Sequence, residues 1–386
     1  MLSKIKGFRV FAVSLVVFST LLFQGILKAE EPVKSDTAAQ TTVDSAVLAE
    51  PAVAHEEEKA KEEKLNAGEL ILEHISDAHE WHIAGHLALP LPIIIYDPAK
   101  GLSVFSSSHL EEGDHEGYRL EHNHIYSVAA DGLIDEAASA KLIDLSITKN
   151  AAALLVSVAL ILIIFLSVAG KYKARAGMAP KGLQSAIEPV ILFVRDDIAK
   201  ASIGAKYERY MPFLLTVFFF ILINNLMGLI PVLPGGANVT GNIAVTMILA
   251  LFTFLVTLFS ANKNYWRHVF AMPGVPPWVL IILTPIELLG VFLRPFVLMV
   301  RLFANVTGGH IIILSFISLI FIFGELSPGL GLGASPLSVF FAIFMSCLEL
   351  LVAFLQAYVF TLLSAIYIGS AIEEHHHEAH ADGHHH

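Results

Sequence analysis

The chain has 386 residues, of which 55% are apolar and only 15% charged, with a net charge of −11 and a mean hydropathy of +0.67. This balance excludes an ordinary soluble domain, and the lack of a basic patch with interleaved aromatics argues against nucleic acid as a partner. The acidic excess is not a whole-surface property: residues 1–150 carry most of the charges and much of the histidine, while 151–371 hold several apolar stretches of bilayer length.

Residues 1–29 read as a secretory signal peptide. Lys4, Lys6 and Arg9 form a positive start, 10–23 an apolar core, and Ala29 a small residue at a plausible cleavage point. An uncleaved first span is the alternative, but the apolar core is short for a bilayer. Residues 30–66 form an acidic linker whose charge run at 56–64 cannot bury enough apolar area to fold alone. Residues 67–148 are expected to be a small external, periplasmic region. A helix is predicted over 68–81, then a strand at 91–96, a turn at 97–101 and a strand at 102–105.

A membrane-embedded domain is expected over 149–372. Residues 151–170 form an apolar span closed by Lys171, Lys173 and Arg175. Residues 178–205 mix apolar positions with Glu188, Arg195, Asp196, Asp197 and Lys200, the pattern of an amphipathic surface helix. Spans follow at 211–231 and 243–260. The next two segments, 278–324 and 337–371, are about 70 Å and about 50 Å long if helical, against about 30 Å of hydrocarbon. Two long, steeply tilted helices turned at 325–331 accommodate them, and such a tilt needs a protein neighbour beyond ordinary mismatch. Cys347 lies in the last of these helices and, as the single cysteine, makes no internal disulfide. Lys171, Lys173, Arg175, Lys181, Lys206, Arg209, Lys263 and Arg267 fall on one side, which the positive-inside rule makes cytoplasmic. The expected fold is therefore an all-α integral membrane protein of five membrane helices, including a long tilted two-helix hairpin. A surface helix, an external N-terminal region and a histidine-rich cytoplasmic tail at 373–386 complete it.

Ionisable residues inside apolar helices are costly and usually functional. Glu287, Arg294 and Arg301 stand seven apart, nearly two turns, so they share one helix face; Asn305 lies one turn beyond Arg301 on the same face. Apolar sequence flanks Arg301 on both sides, and its guanidinium stays charged at any biological pH. Pairing with a structural carboxylate is the alternative for Arg301; Glu287 and Arg294 stand nearer the cytoplasmic end and could pair with each other. In the last helix, Glu349 and Gln356 are again seven apart, and His310 lies nine past Arg301. A buried histidine and a buried glutamate on the two arms of one hairpin suit a proton path.

The segment Met299-Val300-Arg301-Leu302-Phe303-Ala304-Asn305-Val306-Thr307-Gly308-Gly309-His310 resembles the signature of subunit a of the F-type, rotary ATP synthase. The stretch Leu355-Gln356-Ala357-Tyr358-Val359-Phe360, the ending 367–375, Asn224-Asn225-Leu226-Met227-Gly228-Leu229-Ile230-Pro231 and Asn238-Val239-Thr240 also resemble that family, over about 145–375. The resemblance implies a non-catalytic, proton-conducting stator with no cofactor or metal, in the bacterial cytoplasmic membrane. It implies as partners the subunit c ring, the subunit b peripheral stalk, the remaining ATP synthase subunits, protons and membrane lipid. On that basis Arg301 faces the ring with Gln356 beside it. His310 and Glu349 sit where many members carry the two residue types exchanged, and Glu287 and Arg294 line the cytoplasmic-side path. Two features depart from short members: a long external extension, and a Gly228 loop without the carboxylate that some members have.

His79, His82 and His86 have helical spacing suited to Zn²⁺ or Cu²⁺, but a solvated, titrating surface is the favoured reading. The tail, with His375-His376-His377 and His384-His385-His386, is more metal-avid. A secondary transporter is the main rival function, yet it calls for internal repeats, and the sequence has none. A purely structural scaffold leaves Arg301 and Gln356 without a role.

Overall fold

The computed structural model describes residues 76–373 except 85–86, 112, 122, 130, 175–176, 231–235 and 273, together with positions 68 and 71. The expected signal peptide, the linker, the tail from 374 and positions 69–70 and 72–75 of the helix expected at 68–81 lie outside these residues. Where that helix was to end, the chain is instead extended: strand β1 (Glu80–Ala84) pairs antiparallel with β2 (Leu87–Pro90). The apolar spacing around Trp81 satisfies either form, and pairing with β2 decides it.

The strand-rich unit that precedes the first apolar helix is otherwise built on a hairpin. Strands β3 (Pro92–Asp97) and β4 (Gly101–Ser106) pair antiparallel, and β7 (Ile143–Asp144) adds to the other edge of β3. Asp97 Oδ1 accepts from the Ala99 amide at 2.8 Å, which closes the turn. Ile93 and Ile95 point inward onto Leu110 and Tyr118. A second hairpin, β5 (Tyr118–Glu121) and β6 (His124–Ser127), completes the unit.

Residues 76–81 fasten this unit to the first apolar helix, α1 (Lys149–Ala174). Asp77 accepts from the Asn150 amide and the Thr148 hydroxyl, both at 2.9 Å, which satisfies orphan groups at the helix start. Burial pushes the Asp77 carboxyl above the ordinary carboxylate range, partly opposed by these bonds. His79 is buried with Nε2 3.3 Å from Asp144, and Trp81 packs into the same core as Ala151 and Leu154.

Among the described residues, five helical stretches are long and apolar enough to cross a membrane: Lys149–Ala174, Leu183–Gly228, Ile243–Ser260, Pro277–Leu326 and Pro328–Ile372. The second is not one regular helix. It comprises α2 (Leu183–Phe193), a π-helical segment Val194–Lys200, a helical turn Ala201–Ile203, a 3₁₀ turn and then α3 (Tyr207–Gly228). Asp196, exposed on the π segment, takes Arg195 and Lys200 at 2.6 Å each. Helix α4 (Ile243–Ser260) has the predicted bounds. The short α5 (Lys263–Phe270) follows it, and Asn262 at its start bonds the carbonyls of Ala371 and Ile372, both at 2.9 Å. The Gly369 backbone lies so close to Ser202 that any side chain there would strike the Ser202 carbonyl.

The last two helices, α6 (Pro277–Leu326) and α7 (Pro328–Ile372), have 50 and 45 residues. Only Ser327 separates them, so the seven-residue turn expected at 325–331 is not formed. Ser327 is extended and its side chain accepts from the Leu330 amide, while Pro328 takes the first helical position; the Ser-Pro-Gly string starts α7 instead of looping. Contacts across the pair run antiparallel: Asn305 meets Gln356, His310 meets Glu349, and Phe316 stacks on Phe341.

Replacing Asp77 by alanine should loosen the junction. The Asn150 amide and Thr148 hydroxyl lose their partner, at a cost of about 1–3 kcal/mol. Limited proteolysis of the assembled complex should then cut between the strand-rich unit and α1 faster than in the wild type.

Candidate functional site

Arg301 lies on the exposed face of α6, while Leu298, Leu302 and Val306 on the opposite face are buried. Among the described residues no carboxylate lies within 4 Å of its guanidinium. One turn further on, Asn305 Nδ2 donates to Gln356 Oε1 at 2.9 Å, and Gln356 is buried in the crossing of α6 and α7. This amide pair joins the two arms next to the arginine.

Toward the hairpin tip, His310 Nε2 stands 3.6 Å from Glu349 Oε1. Glu349 is buried although its helix is mostly exposed, because it folds against the α6 backbone. Gly309 makes this approach feasible: a Cβ there would lie 2.7 Å from Glu349 Oε1. His310 also reaches α3, where a Cβ on Gly228 would stand 3.8 Å from its Nε2. Around them is a run of buried amides and hydroxyls. Thr240 donates to Asn225 Oδ1 at 2.6 Å, and Asn225 Nδ2 to the Ala353 carbonyl at 3.4 Å. Thr307 donates to the Gly241 carbonyl. Asn224 Oδ1 and Glu349 Oε2 are buried with no hydrogen-bond partner among the described residues, which makes this the least satisfied polar region between these helices.

On the other side of Arg301 lies a second polar group. Arg294 and Glu287 are paired at 3.6 Å, and the Arg294 guanidinium sits 5.7 Å from the centre of the Tyr367 ring. A small gap here is lined by Thr253, Thr257, Tyr265, Arg294 and Tyr367. Thr253 and Ser364 share a hydrogen bond of 3.2 Å across α4 and α7, and Thr257 donates to the Thr253 carbonyl at 2.8 Å.

The structure thus brings together two of the predicted pairs, His310 with Glu349 and Glu287 with Arg294, while Gln356, expected beside Arg301, is bonded by Asn305 one turn further along α6. It does not gather all seven residues in one cavity. They are strung along the hairpin, and Glu287 and His310 are about 35 Å apart along α6 at 1.5 Å per residue. Sequence reasoning assigned no role to Asn224, Asn225 or Thr240, although consecutive asparagines inside an apolar run were the available signal. Of the histidine stripe expected at 79, 82 and 86, His82 lies in strand β1 and not on a helix, and position 86 lies outside the described residues. No group of three metal-binding side chains occurs among the described residues.

A family model described as "ATP synthase A chain" matches residues 152–369. The chain belongs to that family. An ATP synthase subunit a from Chloroherpeton thalassium is 46% identical over 247 residues, covering 62% of this chain and 71% of that one. One from Chlorobium phaeobacteroides is 47% identical, covering 62% and 68%. One from Myxococcus xanthus is 43% identical, covering 63% and 78%. Membership makes the chain a multi-pass membrane component of the ATP synthase, translocating protons without catalysing a bond change itself. Residues 70–145 match a separate model, described only as a domain of unknown function, which corresponds to the strand-rich unit before α1.

In this ATP synthase A chain, Gly309→Val should force Glu349 out of its place against α6. If Glu349 carries protons, ATP-driven proton pumping is expected to fall roughly tenfold or more, the size of effect that small displacements of a working group produce. Co-purification with the other subunits should be retained.

Proposed function

We propose that Arg301 separates two half-channels in this subunit, through which protons reach and leave carboxylates on a rotating subunit c ring. The observation that carries the reading is the position of Arg301: an exposed charge on an apolar face, with one polar cluster on each side along α6. His310 and Glu349 lie about 14 Å beyond it and Arg294 about 10 Å before it, at 1.5 Å per residue.

A proton arriving from outside passes the His310–Glu349 pair and neutralises a ring carboxylate, which can then face lipid. After nearly a full turn the carboxyl meets the second path, lined by Glu287 and Arg294, and releases its proton inside. Arg301 attracts the ionised carboxylate and repels a proton crossing directly between the paths. Gln356, held by Asn305, supports the surface beside the arginine. Each proton carries about 2.3 kcal/mol per 100 mV of membrane potential.

The reading sets the chain in a bacterial cytoplasmic membrane. Residues 30–148 then lie outside as the external part, 149–372 form the channel domain, and the tail lies inside; the signal pattern and the positive loops support this orientation. Helices of 50 and 45 residues exceed an upright crossing of about 30 Å, so the hairpin lies steeply tilted, its exposed apolar face against the ring. The charged face of 183–203 rests at the cytoplasmic surface, where the subunit b stalk and the other subunits assemble.

Arg301→Ala is expected to abolish ATP synthesis and ATP-driven pumping while assembly persists and passive proton conductance is kept or raised. Synthesis at near wild-type rate in inverted vesicles would sink the assignment. His310→Ala and Glu349→Ala should each slow proton uptake less than loss of Arg301 does. The exchanged variant, His310→Glu with Glu349→His, should recover part of the activity; recovery no better than either single change would remove the pair from the path.

A further inference from the structure

The three-stranded sheet of the external unit is apolar on both faces, yet only one face is covered. Ile93 and Ile95 fill the inner side. On the outer side the register sets Ile94 opposite Val104, and Tyr96 opposite both Leu102 and Ile143. Paired residues share a face, so these five side chains form one surface. Leu145 extends it, its amide bonded to the Ile94 carbonyl at 2.8 Å. Leu102 is 63% exposed, Val104 61% and Ile143 51%. Antiparallel sheets with one free face normally alternate apolar and polar positions. A contiguous exposed apolar face, with no charged residue at its paired positions, marks an interaction surface.

The occupant is indicated by where the sheet is held. Leu145 lies four residues before α1 begins, a distance of at most about 14 Å of chain. Asp77 and Trp81 bind the unit to the first turn of that helix and to the membrane core, so the unit cannot stand away from the bilayer. Tyr96 adds an amphipathic aromatic of the type that collects at the lipid–water boundary. We propose that this sheet face rests on the lipid leaflet at which α1 begins, making the external unit an interfacial element and not a free appendage. The inference is independent of the proton path: it requires only that α1 crosses the membrane.

The test is photo-crosslinking in the assembled complex in its own membrane, with p-benzoylphenylalanine placed singly at position 102 or 104. Both side chains are more than half exposed, so the replacement leaves packing intact. Position 163, 65% exposed on α1, serves as the lipid-facing reference, and Asp131, exposed in a loop, as the aqueous one. Phospholipid adducts on this chain are expected from 102 and 104 at a yield within about threefold of that from 163, and none from 131. A crosslink from either position to another subunit or a second copy of this chain would overturn the proposal. So would the absence of any adduct at 102 and 104 when 163 reacts.

Discussion

A guanidinium that cannot lose its charge, held within apolar sequence, is the constraint around which the membrane part is arranged. Arg301 is costly in a low-dielectric setting, and among the described residues no carboxylate within 4 Å relieves it. Its neighbours are instead an amide pair, Asn305 and Gln356, which is polar but neutral. The charge is therefore left facing outward from α6, where the proposed mechanism has it meet a ring carboxylate. The polar groups that could have paired with it are committed elsewhere: Glu287 to Arg294, and Glu349 to His310.

The long hairpin makes this separation feasible. Two antiparallel helices joined by the single residue Ser327 keep a steady register over many turns, so groups at different depths stay apart. Close approach between the arms depends on small residues. Gly309 admits the Glu349 carboxylate, and Gly331 lies against the backbone at Gly324. Asn225 of α3, Thr240 of the turn before α4, Thr253 of α4 and Ser364 of α7 then supply amides and hydroxyls on both sides of the arginine. Neutral donors and acceptors of this kind can orient water and pass protons without fixing a second charge in the membrane.

The strand-rich unit shows how a small sheet is attached to such a domain. Its hold on α1 combines a buried carboxylate at the helix start, a histidine–aspartate contact and a tryptophan in the apolar core. These are short-range and directional, so the sheet keeps a defined position relative to the first helix. At the cytoplasmic end of the proposed topology, Asn262 and Gly369 perform a similar service, tying α4, α7 and the 201–203 turn together.

By itself the sequence determined the features that reside within a window of about 20 residues. Hydropathy placed the apolar helices, the bounds of α4 among them, and a seven-residue spacing set Glu287, Arg294 and Arg301 on one face. The arginine motif carried the family. Where local signals were ambiguous they failed: the stretch ending at Trp81 suits a helix until β2 pairs with it, and Ser327-Pro328-Gly329 looks like a loop until the serine caps a helix. The tertiary structure alone decided which residues meet. Asn305 and Gln356 are 51 positions apart, and Thr240 and Asn225 come from opposite ends of a loop. Such contacts depend on where helices cross and how closely a glycine lets them approach, and neither is encoded in the period of any single helix.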